Sequence, residues 1–76
     1  MEEEKKYRVA SCNRRLSRDL LFVMAGTPGI TIYNREESQD YRSRIIYTAE
    51  DESALVLLKM YVENSFYLCG NVQFED

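Results

Sequence analysis

The sequence predicts an α+β fold in which two helices cover one face of a four-stranded antiparallel sheet. Three observations lead to this prediction. Alternating apolar residues mark four strands, apolar residues spaced three and four apart mark two helices, and these patterns follow the order β-α-β-β-α-β. A chain of 76 residues is long enough for one such domain and too short for two hydrophobic cores.

The first strand is predicted over residues 7–12, where side chains of alternating character follow one another. We interpret the alternation as turning Val9 towards the helices, together with Tyr7 and Ser11. This interpretation leaves three side chains on the outer face of the sheet: Arg8, Ala10 and Cys12.

The first helix is predicted from Arg14 to Ala25, with Asn13 as its N-cap. Its apolar face carries Leu16, Leu20, Val23 and, at the edge, Met24. The sequence Gly-Thr-Pro-Gly at residues 26–29 ends it. Residues 20–25 also fit one arm of a β-hairpin, but the helical period extends back through Leu16 and favours the helix.

A hairpin is predicted next, because two β-rich segments at residues 30–33 and 41–47 flank a polar loop. Ile30 and Ile32 face the helices in the first segment. In the second segment the arginines are expected outside, which places three side chains on the outer sheet face: Arg42, Arg44 and Ile46.

The second helix is the strongest pattern in the chain. Thr48-Ala49-Glu50-Asp51 has the form of a capping box, which indicates a helix start at Thr48. The apolar face that follows comprises Ala54, Leu57, Leu58 and Tyr61. Other apolar residues widen this face beyond what one sheet covers, so a partner is expected to cover Val56 and Met60.

The last strand is predicted over residues 66–74, with four side chains facing inward: Phe66, Leu68, Val72 and Phe74. Tyr67 and Cys69 alternate with them and face outward. Gly70-Asn71 could form a tight turn, but the alternation continues across it, so Gly70 is expected to mark a bulge or a close approach of another segment. Two crossover units interlocked around a hairpin make the ferredoxin-like βαββαβ plait, in which both helices lie on one face.

Charge is distributed unevenly along the chain. The net charge is −3, from ten basic and thirteen acidic residues, and acidic residues gather at both ends. We expect these ends to be solvated, and a mimic of nucleic-acid phosphate is the alternative. The predicted organisation is a charged tail at residues 1–6, one domain at 7–74 and an acidic C-terminus at 75–76.

Composition also excludes several classes of protein. The chain has no His and two widely separated Cys, so no metal site is expected, and no pattern predicts a cofactor. The longest apolar run, residues 20–25, is far below the ~20 residues that span a bilayer. Because the N-terminal residues are charged and two Cys are expected as thiols, we predict a cytoplasmic protein.

One segment matches a catalytic motif. Residues 12–18 have the Cys-x5-Arg form of phosphotyrosine phosphatase loops, with Cys12 and Arg18 in the two fixed positions. The segment has no Gly that lets successive amides converge on an oxyanion, and Leu16 belongs to the helix face. We therefore predict that the protein is not an enzyme.

Arginine and tyrosine provide the candidate binding residues. On the outer sheet face these are Tyr33, Arg42, Arg44 and Tyr67. A second basic group, able to bind an anion or to pair with Asp19, Glu50 or Glu52, comprises Arg14, Arg15 and Arg18. Since Tyr and Arg are enriched at protein interfaces, we predict an adaptor, regulator or inhibitor that binds another protein or forms a homodimer. Single-stranded RNA binding through the same sheet face is the alternative.

Overall fold

The computed structural model describes residues 6–38 and 40–75, and these residues have the predicted order of elements. The strands and helices are β1 Arg8–Asn13, α1 Ser17–Ala25, β2 Ile30–Glu37, β3 Arg42–Ala49, α2 Glu52–Glu63 and β4 Val72–Glu75. Most of the predicted tail at residues 1–6, and Asp76, lie outside the described residues. Within them, neither helix has the length and apolar character needed to cross a bilayer.

The sheet confirms the predicted plait. Its strand order is β2-β3-β1-β4, and every pair of neighbouring strands is antiparallel. Side chains from both helices share one core with the central strands, so both helices cover the same face. Each helix returns along the strand that precedes it, and since β1 and β3 are antiparallel, α1 and α2 are antiparallel too. The start of α1 therefore lies at the same end of the molecule as the end of α2.

The orientation predicted for β1 is wrong. Ala10 and Cys12 are fully buried beneath the helices, whereas Val9 lies on the other face. The register explains the difference, because β1 is paired on both sides: Ala10 lies opposite Ile45 and Phe74, both on the helix face. Neighbours across a sheet share a face, so β1 takes its orientation from its partners.

Residues 17–25 are α-helical as predicted, so the hairpin alternative is wrong, but residues 14–16 form a 3-10 turn and α1 begins three residues later than predicted. The Asn13 side chain accepts a hydrogen bond from the Arg15 amide at 2.9 Å and caps a short 3-10 turn that leads into α1. Leu20 and Met24 are fully buried. After the helix ends, the Thr27 hydroxyl donates to the Val23 carbonyl at 2.8 Å, which holds the connection to β2.

The second helix begins three residues later than the capping-box pattern indicates. Thr48 belongs to β3, and the N-cap of α2 is Asp51, whose carboxylate accepts from the Ala54 amide at 3.0 Å. The buried face is rotated as well, since it comprises Ala54, Leu58 and Val62. Tyr61, which the sequence predicts inside, is 42% exposed.

The predicted last strand is mostly a turn. Only Val72–Glu75 pairs with β1, which places Val72 and Phe74 on the helix face as expected. Gly70 has a φ of +76°, and the Asn71 amide donates to the Leu68 carbonyl at 2.9 Å, so a tight turn interrupts the predicted strand and the bulge interpretation is wrong. Leu68 is buried, but Phe66, predicted to face inward, is 90% exposed.

Candidate binding surfaces

Among the described residues, six large apolar side chains are exposed on the helix side of the molecule. We call them the helix-layer surface: Phe22 on α1, Val56, Met60 and Tyr61 on α2, and Phe66 and Tyr67 in the turn that follows α2. Phe22 is 81% exposed and Phe66 90%. A cluster of large exposed apolar side chains on a small domain is typical of a binding surface.

Helical geometry explains why α1 and α2 leave these side chains outside. Residues two apart on a helix lie about 200° apart around the axis. Val56 and Met60 each lie two residues from Leu58, which is fully buried, so both project away from the core. Phe22 lies midway between the buried Leu20 and Met24 and projects away for the same reason.

The Phe66–Tyr67 pair forms one wall of a depression at the end of the molecule where α1 begins. The two rings meet edge to face with centroids 5.4 Å apart. The depression has a volume of about 580 Å³ and is lined by Asn13, Arg15, Leu16, Asp19, Phe66, Tyr67 and Asn71. Tyr67, which the sequence places on the outer sheet face, therefore belongs to the helix-layer surface instead.

The three arginines of the predicted basic group point to different places. Arg14 turns towards the hairpin, where its Nε lies 2.5 Å from Glu37 Oε2 and its guanidinium lies 5.8 Å from the centroid of the Tyr41 ring. The predicted pairing of Arg14 with Asp19, Glu50 or Glu52 is therefore wrong. Arg15 lines the end depression. Within residues 6–38 and 40–75, no ion pair involves Arg15 or Arg18.

The open face of the sheet carries Arg42 and Arg44, as predicted. Arg42 Nη2 donates to Ser11 Oγ at 3.2 Å and to Gln73 Oε1 at 3.5 Å, so its guanidinium crosses β1 and reaches β4. Arg44 Nη1 lies 3.8 Å from Glu36 Oε1 on β2. Both guanidinium groups are thus engaged by neighbouring side chains of the same chain.

Acidic side chains surround these arginines. A shallow depression of about 700 Å³ contains both, and its lining also includes Glu37, Asp40 and Glu75. A hydrogen bond from the Ser38 hydroxyl is the main reason why the pKa of Asp40 lies below its usual value, so this carboxylate is ionised at neutral pH. Carboxylates outnumber arginines here, which is unfavourable for a phosphate backbone.

Tyr33 lies away from this depression. It occupies an irregularity in the pairing of β2 with β3, and its ring contacts that of Tyr7, with centroids 4.8 Å apart. The four residues predicted as one sheet site are therefore in three places: Arg42 and Arg44 together, Tyr33 beside Tyr7, and Tyr67 at the end depression.

The Cys12 thiol lacks the surroundings of a nucleophile. It is fully buried beneath the helices, and burial raises its pKa, an effect that the nearby Arg42 charge partly opposes. A reactive cysteine needs the opposite conditions, namely access and a lowered pKa. Cys69 is exposed in the turn before β4, and both cysteines are free thiols. Among the described residues, no group of His, Cys, Asp or Glu side chains is arranged to bind a metal ion.

No known protein family, curated protein or solved structure matches this chain. Sequence reasoning identified Val56 and Met60 but missed Phe22, Tyr61 and Phe66 as exposed side chains. Phe22 had a usable signal, because it falls outside the apolar period of α1. The residues around Phe66 give no signal of its exposure, since their alternation predicts that Phe66 faces the core.

Proposed function

We propose that this chain is a small non-enzymatic binding protein that acts through protein–protein association as an adaptor, regulator or inhibitor. The observation that carries the proposal is the exposure of six large apolar side chains on the helix-layer surface. Aromatic and Met side chains are the ones enriched at the centres of protein interfaces. A cytoplasmic location is part of the proposal, because Cys69 is an exposed free thiol of the kind that a reducing compartment maintains.

The energetics favour a partner at this surface. Burying a Phe or Met side chain fully contributes about 1.5–3 kcal/mol through the hydrophobic effect. In the single chain most of the surface of Phe22 and Phe66, and about half of that of Met60, is exposed, so each has apolar area that a partner can bury. The edge-to-face contact between Phe66 and Tyr67 already restricts both side chains, so less conformational entropy is lost when a partner binds them.

Single-stranded RNA binding is the second candidate, and its support is the open sheet face. There Tyr7 and Tyr33 offer aromatic rings for stacking, and Arg42 and Arg44 offer positive charge. Glu36, which is paired with Arg44, and the carboxylates of the adjoining depression weaken this candidate. We therefore prefer protein association through the helix-layer surface.

Site-specific photo-crosslinking tests the proposal. A benzophenone amino acid replaces Phe22 in one variant and Tyr33 in a matched control, since both positions carry exposed aromatic rings, Phe22 on α1 and Tyr33 beside Tyr7 on the sheet. After irradiation in cells, the variant with the probe at residue 22 is expected to form protein adducts that resist nuclease treatment. The variant with the probe at residue 33 is expected to form none.

Two results would overturn the proposal. The first is an absence of protein adducts at residue 22 in a variant whose circular dichroism matches that of the native chain. The second is adduct formation at residue 33 alone that disappears with nuclease, which would establish RNA binding on the open sheet face instead.

A further inference from the structure

We infer that the partner of the helix-layer surface is a second copy of this chain, with α1 of each copy packed against α2 of the other. The inference rests on the proposed function and adds the identity of the partner. Its basis is a surface that is complementary to itself, which is the requirement for a two-fold symmetric dimer.

The complementarity lies in the charges that border the apolar side chains. Arg15 lies in the 3-10 turn just before α1, Arg18 is the second residue of α1, and Glu63 is the last residue of α2. All three are exposed, and no ion pair joins any of them to another described residue. Lys59, one turn before Glu63, does not pair with it, because the Lys59 ammonium lies over the Phe74 ring, 5.6 Å from the centroid. Asp19 is the single acid on the exposed side of α1.

A two-fold axis that runs along the helices, between two facing helix layers, brings these charges together. Such an axis places α1 of one copy over α2 of the other and preserves position along the helices. The start of α1 and the end of α2 lie at the same end of the chain, so Arg18 of one copy faces Glu63 of the second copy. Two equivalent charge pairs then flank the interface.

The same arrangement places apolar side chains against each other. Phe22 lies one turn beyond Arg18 on α1, and Met60 lies one turn before Glu63 on α2. In the dimer Phe22 therefore packs over Met60 and Val56 of the second copy. The chain measures 40 × 27 × 18 Å, so its broad helix-layer face is large enough for the ~800 Å² per partner that a stable interface buries.

Charge exchange tests this arrangement in the full-length protein. Sedimentation velocity over micromolar to millimolar concentrations is expected to show a dimer for the native chain. Arg18→Glu and Glu63→Arg should each weaken self-association by at least ~10-fold, because each places like charges opposite one another. An equimolar mixture of the two variants should recover the dimer, since every pair in the mixed dimer has opposite charges. Arg44→Glu, on the open sheet face, is the matched control and should leave the dimer intact.

A native chain that stays monomeric at every concentration would overturn the inference, as would variants that dimerise like the native chain. A mixture that fails to recover the dimer, although both variants have native circular dichroism, would overturn the arrangement of α1 against α2. If the native chain is monomeric while the probe at Phe22 captures a different protein, the second-copy inference fails and the proposed function stands. If dimers form but cross-link only through Tyr33, both fail.

Discussion

The Cys12 thiol is held in the centre of the sheet, in a site where the neutral form is favoured. Its β3 neighbour is Ser43, and both side chains are completely buried. Among the described residues the Ser43 hydroxyl has no hydrogen-bond partner, the Cys12 thiol included, so it gives a thiolate at this site no hydrogen bond. Burial therefore outweighs the attraction of Arg42 and raises the pKa of Cys12 above its ordinary value of 9.0.

This raised pKa predicts a loss of stability in alkaline solution. In the unfolded chain Cys12 ionises near pH 9, whereas in the folded chain it keeps its proton to higher pH. The contribution of Cys12 to the free energy of unfolding is thus fully present below the pKa that its thiol has in the unfolded chain. It is lost as pH rises through the pKa that the thiol has in the folded chain. Urea denaturation from pH 7 to 11 should show that the free energy of unfolding of the native chain falls above pH 9. The fall should be shallower in Cys12→Ala.

Cys69→Ala is the control for this measurement, because its thiol is exposed in the folded chain. The alkaline decline in this variant should match that of the native chain. Equal slopes in Cys12→Ala and the native chain would contradict the prediction, since other groups would then account for the whole pH dependence.

Among the strands and helices, the features that could be predicted best are those of a helix with an apolar face and a terminating turn. The order of elements and the termination after Ala25 are present in the structure, and Asn13 is a cap, although of the 3-10 turn that precedes α1 and not of α1 itself. These features depend on residues close in sequence, namely a polar cap, a helical period and a Gly-containing turn. They could therefore be predicted without knowledge of the packing.

The orientation of β1 and the length of β4 could not be predicted in this way. In β1 both faces carry small or mixed side chains, and Ala10 faces the helices because it lies opposite Ile45 and Phe74. Before β4, the alternation predicted from Phe66 onward ends at the turn around Gly70. Both outcomes depend on partners distant in sequence, and the exposure of the helix-layer surface depends on the same packing.

Contact between the α1–β2 connection and α2 gives a prediction for Gly29. Its φ is +85°, and a Cβ at this position would lie 2.9 Å from the Ala54 Cβ. Gly29→Ala therefore combines an unfavourable backbone conformation with a steric clash, and we expect a loss of about 2–4 kcal/mol in the free energy of unfolding. Equilibrium denaturation in urea measures it.

Substitutions at two other glycines distinguish the effect of the backbone conformation from that of the steric clash. Gly70 has a φ of +76°, but no atom of the described residues lies within 4 Å of an added Cβ, so Gly70→Ala should cost only about 1 kcal/mol. Gly26 has a φ of −87°, and Gly26→Ala should change stability by less than ~0.5 kcal/mol. If Gly29→Ala lowers the free energy of unfolding no more than Gly70→Ala does, the close approach of residue 29 to Ala54 does not destabilise the variant.

For the whole molecule, the helix layer connects stability with association. A domain of this size buries a small core, and this chain leaves Phe22 and Phe66 outside it. A second copy that covers them binds the folded chain and not the unfolded one. By mass action such binding stabilises the folded state to a degree that depends on protein concentration.

The melting temperature of the native chain should therefore rise with concentration. Above the dissociation constant, a tenfold increase adds about 0.7 kcal/mol per chain, which corresponds to a rise of about 3–5 °C for a domain of this size. Phe22→Ser removes apolar contact area at an exposed position and should make the melting temperature nearly independent of concentration. Tyr33→Ser, beside Tyr7 on the sheet, should retain the native dependence. Calorimetry over a hundredfold range of concentration measures all three proteins, and a dependence that persists in Phe22→Ser would show that the chains associate through another surface.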